Sequence, residues 1–160
     1  VLKLSPRPES SADPKSIRAA AVALLARRDY LRAELGEKLR ARGFEAGATA
    51  EVLAALSAER LLDDARCAER FVAYRVERGH GPLRIGRDLR ARGAEPALID
   101  AVLAAGTDWR ALARQVRRRK FGAALPAGWA EQAQQARFLQ YRGFSSDDIR
   151  AATGAELELD

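Results

Sequence analysis

Three residue types return along this chain at a fixed interval. Leu39, Leu89 and Leu139 stand fifty positions apart, and Arg42, Arg92 and Arg142, then Gly43, Gly93 and Gly143, keep the same spacing. Self-similarity at such a period marks tandem supersecondary units, and it constrains the fold more than any local pattern does. A unit of about 50 residues is marginal alone, so each must lean on its neighbours to bury enough apolar surface. The clearest copy runs from Asp63 to Ala94, where two short helical patterns are joined by the breaker cluster Gly79, His80, Gly81 and Pro82.

No segment shows convincing strand alternation, and abundant Ala with no Met and few aromatics favours close-packed helices with small contact residues. The reading is an all-α chain of nine helices in three tandem three-helix repeats. A flexible leader occupies 1–15, the repeats 16–62, 63–106 and 107–153, and an acidic, frayed tail 154–160. In the first repeat Ile17, Ala21, Leu24 and Leu25 mark a helix ending near Arg28. Leu31, Leu35 and Leu39 mark a second, stopped by Gly43, and Val52, Leu53 and Leu56 a third.

The second repeat opens with Asp63 or Asp64 as a cap and places Cys67, Ala68, Phe71, Val72 and Tyr74 on or beside a buried face. Pro82 suits the first turn of the helix carrying Ile85 and Leu89, and Pro96 starts the one carrying Ile99, Val102 and Leu103, closed by Gly106. In the third repeat Thr107 or Asp108 caps a helix with Trp109, Leu112, Ala113 and Val116 toward the core. A break at Leu125–Gly128 precedes a helix over Trp129–Arg142, and Ser145 or Ser146 caps a short last helix through Ile149.

A formal charge of +6 and a pI near 10.1, carried mostly by Arg, point to an anionic partner. The charge is patterned. Arg87, flanked by Arg84 and Arg90, lies opposite the Ile85–Leu89 face of its helix. Arg110, Arg114, Arg117 and Arg118 form a stripe on the helix opened by Trp109, extended by Arg119 and Lys120. Guanidinium forks in a row pair bidentately with phosphate oxygens, although a solvated surface face would have the same composition. Base-specific reading is not supported, because the chain has no Asn and its Gln residues gather in one late helix.

Catalytic chemistry finds no convergent set. The one histidine, His80, sits between two glycines and reads as a loop residue. The carboxylate pairs Asp63/Asp64 and Asp147/Asp148 precede helical patterns and read as caps. Cys67, the only cysteine, reads as a small buried hydrophobe, which leaves no disulfide framework and no cysteine-based zinc site. No glycine-rich run is followed by Lys and Ser or Thr, so a nucleotide hydrolase is not indicated. The expectation is a non-enzyme with no cofactor and no metal. No apolar run approaches the ~20 residues of a membrane span and no secretory leader is seen, so the expected setting is the cytoplasm, without membrane contact.

The stretch DDARCAERFVAYRVERGHGPLRIGRDLRARG resembles the signature of the RecX family of regulatory proteins. That pattern combines an acidic pair (Asp63, Asp64), an aromatic-bearing helix (Phe71), Arg75 before GxGP (Gly79, Gly81, Pro82), then Arg84–Ile85, Leu89 and Arg92–Gly93. LGEKLRARGF and ARFLQYRGF are similar to the family's first and third repeats, so the resemblance covers about Ser16 to Ala152. Cys67 stands where the family usually has an aromatic residue, and Ala94 where an aliphatic one is common.

The resemblance implies a non-enzymatic modulator of the RecA recombinase, acting in recombinational DNA repair and the SOS response. It further implies tandem three-helix repeats in an extended, curved arrangement. Such a monomer would bind the RecA filament on single-stranded DNA, directly or through RecA, and inhibit or modulate its ATPase, strand exchange and filament assembly. The expected contact residues are Arg84, Arg87, Arg90, Arg110, Arg114, Arg117, Arg118, Arg119 and Lys120. Two other classes fit the residues alone: a free-standing helix-turn-helix nucleic-acid binder, and a helical-repeat adaptor for an acidic protein partner.

Overall fold

The computed structural model describes residues 11–154. Among them are nine helices and no strand: α1 Pro14–Leu25, α2 Arg32–Ala41, α3 Ala46–Ala58, α4 Asp64–Glu77, α5 Pro82–Ala91, α6 Pro96–Ala104, α7 Trp109–Phe121, α8 Trp129–Arg142 and α9 Ser146–Thr153. The chain is all-α, as its periodicity predicts. Packing divides it into two compact units, one comprising the chain to Ala68 with Arg92–Ala94, the other Glu69–Ala91 with the chain from Glu95.

In the first unit α1, α2 and α3 close around Ile17, Ala21, Leu24, Leu35, Leu39, Val52, Leu53 and Leu56, joined by Tyr30 and Leu62. Removing such a side chain from water stabilises by about 1.5–3 kcal/mol, so this apolar set holds the three helices together. The helix starts are fixed by carboxylates. Asp13 accepts from the N–H groups of Lys15 (3.4 Å) and Ser16 (3.1 Å), and Glu45 from those of Gly47 (2.9 Å) and Ala48 (2.7 Å). The Asp63/Asp64 pair is shared between two helices. Asp63 caps its own helix by accepting from Arg66 N–H at 3.0 Å, whereas Asp64 reaches α2, whose N-cap Leu31 has no capping oxygen, and accepts from Arg32 N–H at 2.7 Å.

In the second unit Ala113, Val116, Ala136, Leu139, Phe144, Ile149 and Ala152 form the core between α7, α8 and α9. Ile85, Leu89, Ile99 and Val102 are buried on α5 and α6. A capping box opens α9: Asp148 N–H donates to Ser145 Oγ (3.2 Å) while Ser145 N–H donates to the Asp148 carboxylate (3.2 Å). Asp147 instead pairs with Arg150 one turn on.

Some expectations need correction. Pro14 and Lys15, read as leader, are already helical, because Asp13 and the proline ring pre-set the first turn. The rest of the leader lies almost wholly outside the described residues, as does the tail beyond Gly154. Helix α9 runs past Ile149 to Thr153, where Gly154 closes it with a left-handed φ of 69°. Tyr74 is half exposed, beside the buried face rather than on it, and Trp109 and Leu112, read toward the core, are only partly buried. Trp109 sits at the start of α7, with its indole N–H donating to Leu103 C=O at 2.9 Å.

Candidate functional site

At the glycine-rich break between α4 and α5, backbone bonds join the start of α5 to the end of α8. Gly81 N–H donates to Arg142 C=O and Leu83 N–H to Gly143 C=O, both at 2.9 Å. Two amides at the start of α5 are thereby satisfied by carbonyls at the end of α8, and the two helix dipoles meet with opposite ends. The approach is backbone on backbone. A Cβ on Gly81 would collide with the Gly143 carbonyl, and one on Gly143 would collide with Arg84. Arg142 also donates through Nη1 to Arg78 C=O at 3.0 Å.

Arg75 fixes the same loop from the α4 side. Its Nη2 pairs with Asp88 of α5 at 3.0 Å, its Nη1 lies 3.2 Å from His80 Nδ1, and its guanidinium stands 4.9 Å from the Phe71 ring centroid. An arginine only donates, so Nδ1 is the acceptor and the imidazole is neutral. His80 lies in the loop between α4 and α5, as its place between two glycines predicts, and it is buried there. Desolvation lowers its pKa, reinforced by Arg84, Arg75 and Arg142 and opposed by Asp88.

The junction sets the first basic strip. Arg87 and Arg90 are exposed on α5, and Arg84 is half-buried against Gly143. Arg84 and Arg87 line a groove of about 390 Å³ between α5, α8 and α9, where Arg137 and Gln140 of α8 join them. Arg137 was missed in the sequence because the last long helix carries no run of cations; only its tie to the repeat ending at Leu139 marks it. Tyr141, also exposed, lies beside Arg84 and Arg87 in an adjoining cleft.

The second strip is on α7. Arg110, Arg114, Arg118, Arg119 and Lys120 are exposed, with Arg114 Nε donating to Ala151 C=O at 3.3 Å near the end of α9. Arg119 and Lys120 also line a cleft of about 250 Å³ with Arg78 and Arg142. Phe138 is a cation–π platform there, with Arg142 at 5.3 Å and Lys120 at 5.8 Å.

Arg117 does not belong to this strip. It is 2% exposed, and its guanidinium donates to the carbonyls of Ala124 (2.9 Å) and Ala123 (3.5 Å) and to Gln135 Oε1 (3.4 Å). It fastens the α7–α8 connection. Its side chain is enclosed because position 117 follows Ala113 by one turn on the core face.

The remaining reactive groups have structural surroundings. Cys67 is buried and its thiol is pushed up to about 11, chiefly by burial and then by Asp29, Asp64 and Glu34, so it is protonated at neutral pH. Among the described residues no three His, Cys, Asp or Glu side chains gather as a metal site, and no helix is long and apolar enough to cross a membrane.

Comparison with known proteins accounts for the repeat. Models of the first, second and third three-helix domains of RecX match residues 18–56, 63–103 and 108–153. The chain is 51% identical over 153 residues, 95% of each chain, to a Regulatory protein RecX of Halorhodospira halophila. It is 44% identical over 142 residues to one of Acidithiobacillus ferrooxidans, covering 89% of this chain and 91% of the relative. Its fold superposes on the crystal structure of RecX from Lactobacillus salivarius with a TM-score of 0.77, at 21% identity and over 87% of this chain and 93% of that one. A second crystal structure of a regulatory protein RecX gives 0.69, at 20% identity over 89% and 74% of the two chains. With three consecutive domain matches covering most of its length and relatives at this identity, the chain belongs to the RecX family of regulatory proteins.

Proposed function

We propose that this chain binds the RecA filament on single-stranded DNA and inhibits or modulates its ATPase, strand exchange and assembly. It acts as a monomeric, non-enzymatic cytoplasmic regulator, within the SOS-linked control of homologous recombination. The observation that carries the reading is the triple-domain match. The exposed cations of α5 and α7 support it by supplying the charge a nucleoprotein polyanion requires. Repetition suits such a target, because a filament offers the same surface many times and linked weak contacts gain effective concentration. The contact set is Arg84, Arg87 and Arg90 on α5 with Arg110, Arg114, Arg118, Arg119 and Lys120 on α7, Arg117 being left out by its burial.

A free-standing helix-turn-helix binder fits less well. The first amides of α5, which would face a phosphate in that mode, already donate to Arg142 and Gly143.

The test is RecA's DNA-dependent ATPase with the chain added after filament assembly. Inhibition is expected, and an Arg87→Glu/Arg90→Glu double variant with unchanged helicity should inhibit far less. No effect of the unaltered chain at any stoichiometry refutes the reading, and full inhibition by the double variant removes α5 from the contact surface.

A further inference from the structure

The two basic surfaces of the second unit differ in what lies between their charges. The α7 strip is cations on an open helix face. The α5–α8–α9 groove has a floor of buried Ala136, Phe144 and Ile149, with exposed Leu83 at its mouth and Arg84, Arg87 and Arg137 along its sides. None of these three arginines has an ion pair or side-chain hydrogen bond among the described residues, and Asp88, the carboxylate beside Arg84 and Arg87, is held by Arg75. Cations without a carboxylate partner among the described residues, set around an apolar trough between helices, call for an occupant that brings carboxylates and aliphatic side chains together. A phosphodiester backbone brings the charge but leaves the apolar floor without a partner.

We infer that this groove seats an acidic, aliphatic-bearing segment of a protein partner, leaving phosphate contact to the α7 strip. The inference rests on the proposed RecA–filament reading, and makes the recombinase rather than the DNA the occupant of the groove. Leu83, exposed in the free chain, becomes an apolar anchor; Arg84, Arg87 and Arg137 pair with carboxylates on either side of the seated segment.

A photo-crosslinking residue in place of Gln140, which is exposed and lines the groove, tests this on the full chain. The variant is pelleted with RecA filaments on labelled single-stranded DNA and irradiated. The expected product joins it to a RecA peptide containing Asp or Glu beside Leu, Ile or Val, and Leu83→Ser should weaken pelleting about tenfold. If the chain pellets but the probe links to DNA, to a segment without acidic residues or to nothing, the groove assignment is overturned and the filament reading stands. If the unaltered chain does not pellet, the filament reading fails and the groove assignment with it.

Discussion

Replacing Gly81 by Ala separates two accounts of why the break between α4 and α5 is built from glycine. The φ of Gly81 is outside the left-handed region, so on backbone grounds alone Ala should be tolerated, or should stabilise by about 0.4–1 kcal/mol through the unfolded chain. The packing says otherwise. The new Cβ would meet the Gly143 carbonyl carbon and oxygen, backbone atoms that cannot rotate away. Relief requires α5 to move off the α8 end, which breaks the bonds from Gly81 and Leu83 N–H to Arg142 and Gly143. At about 1 kcal/mol net for each bond and about 1–3 for overpacking, the expected loss is about 3–5 kcal/mol. Gly106→Ala is the control: its φ is 82° but nothing lies within 4 Å of the added methyl, so its cost is the left-handed conformation alone, about 1–2 kcal/mol. The assay is denaturant unfolding followed by tryptophan fluorescence. Both tryptophans, Trp109 and Trp129, lie in the second unit, and Trp109 is the partly buried reporter. A Gly81→Ala midpoint at or above that of Gly106→Ala would refute the close-approach account.

Three further outcomes follow from particular contacts. Arg117→Ala should destabilise by about 3 kcal/mol in the same assay, because it strands the Ala123, Ala124 and Gln135 acceptors, while Arg118→Ala should stay within about 0.5 kcal/mol. Asp64→Ala should cost about 1 kcal/mol through loss of the α2 cap, read as a lowered thermal midpoint by far-ultraviolet circular dichroism. His80 makes stability depend on pH: its folded pKa lies below its ordinary value, so the unfolded chain binds the proton more readily and stability falls as pH drops below about 6.5. His80 is the only histidine, so a His80→Gln variant should lack that decline in denaturation series taken across the window; persistence of the decline would assign it to another group.

Much of the fold was legible because its cause is local. Leu39, Leu89 and Leu139 are at most 1% exposed, as their shared register demands, and the side chains read as caps at Asp63, Asp108, Ser145 and Asp148 do cap. Tyr74 proves to lie beside the buried face rather than on it, because the outer edge of an apolar stripe cannot be separated from its centre by spacing. Arg117 shows a different limit. The helical wheel sets it between Ala113, about 40° away on the core side, and Arg110, about 20° away on the exposed side, so spacing alone groups it with the exposed arginines. What no wheel supplies is the pair of loop carbonyls that let a guanidinium be buried there. Asp64 and His80 were opaque for the same reason: their partners, Arg32 and Arg75 with Asp88, come from other elements.

The fifty-residue glycine carries more than the helix stop its sequence position announces. Gly93 and Gly143 both hold a left-handed φ, 87° and 93°, which is what a stop requires. Each is also pressed against the first turn of a second helix in the repeat before it. A Cβ on Gly93 would lie 2.7 Å from Ala33 Cβ at the start of α2, and one on Gly143 2.7 Å from Arg84 N at the start of α5. The equivalence of the two contacts, one in each compact unit, gives the period a mechanical reason: the turn that ends one helix is the seat for another. A residue with a side chain would fail twice, by conformation and by collision. In the second unit that seat has a consequence for charge. It holds the start of α5 against the end of α8, and so brings Arg84 and Arg87 from one helix and Arg137 from the other to the same groove. A repeat whose turns were merely stops would have left those cations on separate surfaces.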